Sequence, residues 1–343
     1  MNIEEMLSTA EGCYEAGGYL SDEDFELHKD RIIESISQTG RWSYGAGRWW
    51  KDERFLPFAE TLAKGVALEA EFSYEAGRKW SDDRFFPFIN IISRGVAQDA
   101  ERSYHTGHDW PDERFLPSAE IIAKGIAQSS RWSYVAGQVW EDNKFNPVAE
   151  IIARGVTNKG PKRCYETQEQ WKKERFLKCG DILVGGLSSE FAYDAGKKWG
   201  DIVFNKFKEA ISRRLTEGYH IRTAMVAWDE NRVDYNILAP ALSNDVEWSY
   251  ALTLDEEQFA LATPHFPSGS YGNLITMLSV EEKSILKDTF HKSLVNPKSE
   301  KAFFDNLGAV LESGSVLSWC EHILDNYEKK PEGIGGDSYE RIS

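Results

Sequence analysis

Large apolar residues recur along the first two thirds of the chain with a period close to thirty. Tyrosines stand at Tyr14, Tyr44, Tyr74, Tyr104, Tyr134, Tyr165 and Tyr193, at intervals of 30, 30, 30, 30, 31 and 28 residues. Six positions after each comes Trp50, Trp80, Trp110, Trp140, Trp171 or Trp199, with Leu20 in the first copy. Eleven positions after each comes Phe25, Phe55, Phe85, Phe115, Phe145, Phe176 or Phe204. Small and polar columns keep the same register through four central copies: Gly47, Gly77, Gly107, Gly137; Asp52, Asp82, Asp112, Asp142; Pro57, Pro87, Pro117, Pro147; Gly65, Gly95, Gly125, Gly155. Self-similarity at a fixed period of a few tens of residues marks a repeat architecture.

The punctuation within one copy predicts two helices. Asp82 suits a cap or a turn, and Pro87 suits a first helical position, where its missing N–H is no loss. Ile91 and Ile92 supply the apolar side of a short helix, and Gly95 stands where a helix-ending left-handed residue is wanted. A longer helix is predicted from about Val96 to His108, with Ala97, Ala100, Tyr104 and Gly107 along one face. Gly107 inside that stripe implies close approach by a neighbouring helix. A helix pair of this size cannot bury its apolar faces alone, whereas stacked copies can. The expected fold is therefore all-α: an α-solenoid of six to seven 30-residue helix pairs over residues 1–204, sharing a buried Tyr/Trp/Phe spine. A ligand-binding role for these rings is the competing reading.

Beyond Phe204 the period ends, and 205–330 reads as a mostly helical capping or interaction domain followed by a disordered tail, 331–343. Residues 221–227 and 233–237 flank Trp228-Asp229-Glu230-Asn231-Arg232, leaving a small β-hairpin and a continued helix both open. Trp248-Ser249-Tyr250 echoes Trp42-Ser43-Tyr44. Pro264 to Gly272 reads as a loop. Ser279-Val280-Glu281-Glu282 reads as a capping box opening a helix, with two further helices over about 299–313 and 315–329.

The pattern Arg54-Phe55-x-Pro57-x-Ala59-Glu60-x-x-Ala63, followed by Ser73-Tyr74-x-Ala76-Gly77, resembles short helix-pair repeats of uncharacterised phage and bacterial proteins. The resemblance covers roughly residues 10 to 204 and implies architecture, with no catalytic residues to carry over. The sixth copy departs from it at Thr167-Gln168.

Charge narrows the partners. The 343 residues carry 40 Lys and Arg against 56 Asp and Glu, a formal charge of −16. Residues 41–160 hold 16 cations and 17 carboxylates, residues 1–40 hold 2 and 10, and residues 201–343 hold 14 and 23. The excess acid thus lies at the ends, against DNA mimicry along the array, and the overall sign disfavours general nucleic-acid binding. Lys64, Arg94, Lys124 and Arg154 form one cationic column, which reads either as a phosphate-tracking ladder or as helix C-terminal cations meeting the dipole. Arg54, Arg84, Arg114, Lys144 and Arg175 form a second, placed to bridge to the Asp column or to Glu60, Glu120 and Glu150. An acidic start, four cysteines (Cys13, Cys164, Cys179, Cys320) and no long apolar run point to the reducing cytoplasm, without a membrane span.

Candidate chemistry is sparse. No P-loop, dinucleotide fingerprint, nucleophile elbow or zinc-protease motif occurs, and no cofactor is expected. His105 and His108, with Asp109 beside them, have a spacing able to serve a metal, yet no third ligand is evident. Cys320 and His322 stand near each other, and Gly333-Ile334-Gly335-Gly336-Asp337 is linker-like. An enzyme site in 205–330 would draw on Asp229, Glu230 and Asp234, with only their polarity in favour. Slots that vary between copies are Gly45, Glu75, His105, Val135 and Trp49, Lys79, Asp109, Val139. A solenoid recognises partners through such slots. The expected function is a non-enzymatic protein-binding repeat, specifically a phage-type inhibitor of a host or defence protein. The expected contact residues are Arg48, Trp49, Lys79, His105, His108 and Asp109, with Trp49 as anchor.

Overall fold

Each central copy folds as a tyrosine helix, a tight turn and a broken second helix. The computed structural model describes residues 3–158, 160–242, 254, 256–267, 275–276 and 278–293. In the third copy the tyrosine helix is Ala70–Lys79, and Trp80 closes it by donating its backbone N–H to the Ala76 carbonyl. An entry helix Asp82–Phe85, a 3-10 turn Phe86–Phe88 and an inner helix Ile89–Val96 follow. Proline explains the break: lacking an N–H and clashing with the turn before it, Pro87 cannot sit inside one continuous helix. The copies with Leu27, Lys178 and Lys206 at the proline position show the converse. Their second helices, Asp22–Ser37, Lys173–Gly185 and Asp201–Arg214, run uninterrupted.

Two local expectations are corrected. Gly65, Gly95, Gly125 and Gly155 lie inside the inner helices and are not left-handed caps. A Cβ at Gly95 would collide with the Ser73 hydroxyl and the Ala67 backbone. That hydroxyl is buried and donates to the Val66 carbonyl at 3.0 Å, so this column makes room for a helix-ending hydrogen bond. The helix expected from Val96 is also shorter: Ala97–Asp99 is a turn, and the tyrosine helix starts at Ala100.

Adjacent copies are joined by the same two side chains. The Trp110 indole donates to the Tyr74 carbonyl of the preceding copy at 3.1 Å and lies against Gly77, where a Cβ would enter the ring. Its other contact is edge-on to Phe85, centroids 5.2 Å apart at 89°, the arrangement that ring quadrupoles favour. The close approach at the stripe glycines is thus made by an indole, not by a helix. Arg114 also reaches back, donating to the carbonyls of Gly77 at 2.7 Å and Trp80 at 2.9 Å and to Asp82 at 2.5 Å. Those carbonyls end the preceding tyrosine helix, where C=O groups lack internal partners and the dipole favours a cation. The guanidinium meanwhile covers the Phe85 ring at 5.0 Å. The second cationic column is therefore a bridge to the Asp column, as one of the two sequence readings had it, but across copies. A side-chain amide adds to it: Gln98, Gln128 and Asn158 donate to the carbonyls of Ala67, Ala97 and Ala127.

Lys144 is the one exception in its column among copies two to six. It reaches the Trp110 carbonyl at 2.6 Å and stands 3.6 Å from Asp112, and one ammonium cannot match the guanidinium fork. Lys144→Arg is expected to stabilise the protein by about 0.5–1.5 kcal/mol by adding the missing carbonyl bond, read as a raised denaturant midpoint. An unchanged or lowered midpoint would show that the fork adds nothing.

The first copy keeps every residue that is reached (Gly17, Asp22, Phe25) and has Leu20 and Asp24 where the reaching Trp and Arg would stand. The matched columns break once more, between the sixth and seventh copies. There Gln168 and Lys173 replace the receiving Gly and Asp, and Val203 replaces the reaching Arg. The chain's division into two compact units, Met1–Phe191 and Ala192–Ser343, falls at the same place.

Within the second unit the pattern persists past Phe204. Trp228 donates to the Tyr193 carbonyl at 3.2 Å, lies on Gly196 and meets Phe204 edge-on. Arg232 donates to the Gly196 carbonyl at 2.7 Å and to Asp201. The β-hairpin left open by the sequence is not formed: helices Gly218–Ala227 and Tyr235–Leu242 flank a 3-10 turn Glu230–Arg232. Burial of Trp228 and Arg232 in that joint holds the turn where a hairpin would otherwise close. All elements among the described residues are helical. The capping box forms, Ser279 N–H to Glu282 at 2.8 Å and Glu282 N–H to Ser279 at 3.2 Å, opening helix Val280–Ser293. The loop expected from Pro264 begins instead as a 3-10 turn, Thr263–His265. Trp248 to Tyr250, the helices over 299–313 and 315–329, Cys320, His322 and the 331–343 tail lie outside the described residues. No helix among the described residues is long and apolar enough to cross a membrane.

Candidate recognition surface

The expected Tyr/Trp/Phe spine divides in two. The Trp and Phe columns are buried, while every tyrosine of the column except Tyr74 stays half-exposed. The reason is angular: on the fourth copy's tyrosine helix, Ser103, Thr106 and Gly107 point inward, leaving Tyr104 and the residue two before it at the edge of that face. Across five joints the tyrosine meets that edge residue of the next copy. Tyr14 stacks on Trp42 at 5.2 Å and Tyr104 on Trp132 at 5.0 Å, while Tyr44 leans on Phe72 at 6.0 Å and Tyr165 on Phe191 at 5.5 Å. At Tyr74 the partner is the Arg102 guanidinium, 5.8 Å away. A row of aromatic and guanidinium planes thus runs along the tyrosine helices of the first unit.

The sequence candidates lie on these same helices. Trp49 is 66% exposed, with the Arg48 guanidinium 4.6 Å from its ring and bonded to the Tyr44 hydroxyl at 2.9 Å. Tyr19 holds the equivalent slot one copy earlier and is 86% exposed; sequence reasoning missed it, although its spacing from Tyr14 matches that of Trp49 from Tyr44. Lys79, in the next copy, is exposed with no ion pair among the described residues. His108 and Asp109 are brought together, His108 Nδ1 lying 2.9 Å from the carboxylate. Asp109 also accepts from the Tyr74 hydroxyl of the preceding copy. His105 stands apart, 5.1 Å from Tyr104 and 6.1 Å from Trp132, centroid to centroid.

Burial first, then the bonded Asp109 carboxylate, push the Tyr74 phenol up to about 12. Burial opposes ionisation of Asp109, but the Tyr74 hydroxyl and the His108 ring outweigh it and hold the carboxyl below its ordinary value. Asp109→Asn is therefore expected to bring the Tyr74 ionisation part of the way back, since burial remains. An ultraviolet titration reads this directly, and an unmoved phenol titration would refute the coupling.

Elsewhere the chemistry is occupied or dispersed. Lys64 and Lys124 sit on Glu60 and Glu120 at 2.7 Å, while Arg94 and Arg154 are exposed without an ion pair among the described residues. Asp229 stands 3.9 Å from Arg232 in the turn after Trp228, one residue before Glu230, which holds the position of the Asp column. Among the described residues no three His, Cys, Asp or Glu side chains group to hold a metal ion. Cys13, Cys164 and Cys179 are buried free thiols, and burial pushes the latter two up to about 11, away from the reactive thiolate. Compared with known protein families, curated proteins and solved structures, the chain matches none.

Proposed function

We propose that this chain is a non-enzymatic helical-repeat protein of solenoid type that binds another protein through its tyrosine-helix face. One observation carries the reading: a periodic tyrosine column is held half-exposed, apart from Tyr74, beside slots whose residues change from copy to copy, while the equally periodic Trp and Phe columns are buried. Rigid rings that need little ordering on contact, next to Arg, suit hot-spot chemistry. The resemblance to phage-type repeats supports an inhibitor of a host or defence protein as the specific version.

The test is affinity capture from cells of the source organism with the full chain and with a Tyr19→Ser, Trp49→Ser variant. Both positions are exposed, so the fold should be unchanged by circular dichroism. A protein that the full chain enriches and the variant loses is the expected result. Capture unaffected by the variant would remove Trp49 as anchor. Enrichment of nucleic acid, with affinity falling steeply as salt rises, would replace the reading by the Lys64–Arg154 ladder, which the Glu60 and Glu120 pairs speak against.

A further inference from the structure

The entry helices present a second surface, distinct in chemistry from the tyrosine face. Glu53 and Leu56, Asp83 and Phe86, and Glu113 and Leu116 are i,i+3 pairs and therefore neighbours on one helical face. The three apolar residues are 54%, 39% and 43% exposed, each at the first position of the proline turn that continues its entry helix. The three carboxylates are exposed and have no ion pair among the described residues. The cations of the same helices, Arg54, Arg84 and Arg114, turn the other way into the preceding copy. On these entry helices the guanidinium thus goes inward while the carboxylate one position before it faces water.

The surface has defined limits. In the fifth copy both positions are amides, Asn143 and Asn146, and in the first both are acids, Glu23 and Glu26. Apolar and acidic residues are paired in the consecutive copies two, three and four; the pair returns in the sixth copy as Glu174 and Leu177, cut off from the other three by the amides of the fifth and with Leu177 half-buried. Packed helices lie about 8–10 Å apart, and seven residues of an α-helix advance about 10.5 Å. A helix lying along this edge would meet an equivalent apolar–acidic pair once per heptad.

We propose that this edge docks a cationic amphipathic helix of a protein partner. Its apolar residue in each heptad would rest on Leu56, Phe86 and Leu116, and a neighbouring Lys or Arg would face Glu53, Asp83 and Glu113. Charge complementarity chooses the occupant, since an acidic or neutral helix would leave unpaired like charge or uncompensated carboxylates along its length.

The test uses the full chain and a fluorescent helical peptide of about three heptads, carrying Leu and Lys at the matching spacing, with a scrambled peptide of equal composition as control. Fluorescence anisotropy is expected to show the ordered peptide binding at least about tenfold more tightly than the scrambled one. The triple variant Leu56→Ser, Phe86→Ser, Leu116→Ser should abolish that difference, and Glu53→Gln, Asp83→Asn, Glu113→Gln should weaken binding and flatten its salt dependence. The Tyr19→Ser, Trp49→Ser variant should bind the peptide unchanged, which separates this edge from the tyrosine face. Equal binding of the scrambled peptide, or indifference to the apolar variant, would overturn the proposal. So would concentration-dependent self-association that the apolar variant removes, because the occupant would then be a second copy of the chain.

Discussion

Trp110→Ala is expected to lower stability by about 3–5 kcal/mol, the range for truncating a large buried aromatic side chain. The indole is 1% exposed, and it fills the joint between two copies rather than the interior of one. Its removal deletes the bond to the Tyr74 carbonyl, the edge contact with Phe85 and the cover over Gly77 at one stroke. Gly77→Ala attacks the same contact from the other side, since the added methyl and the ring cannot share the space. Denaturant unfolding of the two single variants and the double variant makes a cycle. Gly77→Ala should be strongly destabilising alone and nearly neutral once Trp110 is alanine, whose small side chain leaves room for the methyl. Additive effects would mean that glycine is needed for some reason other than the indole.

Arg175→Met is expected to cost roughly 2–5 kcal/mol, because it leaves two buried carbonyl oxygens without a donor while keeping much of the side-chain volume. The Arg175 side chain is only 2% exposed and donates to the Gly137 carbonyl at 2.7 Å, the Trp140 carbonyl at 2.5 Å and Asp142 at 2.7 Å. Bonds from Lys172 and then from Arg175 hold the Asp142 carboxyl below its ordinary value. A lowered folded-state pKa gives stability that is complete above the unfolded value and is lost as pH falls through the lowered one. The wild-type chain should therefore weaken from about pH 5 downward, and the Arg175→Met chain should show a shallower acid limb. An equally steep limb would assign that dependence to Lys172 or to other carboxylates.

The period, the helical class and the membership of each column were legible in the sequence, because rare Trp, Pro and Gly residues fall in register. Which copy a column serves was not. Asp82 stands two residues from Arg84 and 32 from Arg114, and only packing shows that the longer separation is the bonded one. Tyr104 and Trp110 are equally periodic, so periodicity alone marked both as core, whereas packing leaves Tyr104 half-exposed and buries Trp110. Residues 221–237 looked non-repetitive because they keep the reaching Trp228 and Arg232 but lack the receiving Gly and Asp. At the candidate surface, variation between copies singled out Trp49 and Asp109. The Tyr74–Asp109 bond spans 35 residues and left no local trace, and Tyr19 was obscured by a first copy whose Trp had become leucine.

The joints between the first four copies use interchangeable residues. If residues 70–99 were excised, Trp110 and Arg114 would find Gly47, Asp52 and Phe55 where they now find Gly77, Asp82 and Phe85. A gene encoding such modules can gain or lose one by unequal recombination without inventing a contact. Its reach over a binding partner can thereby change in whole steps, while the residues that open the row and close it remain as they are.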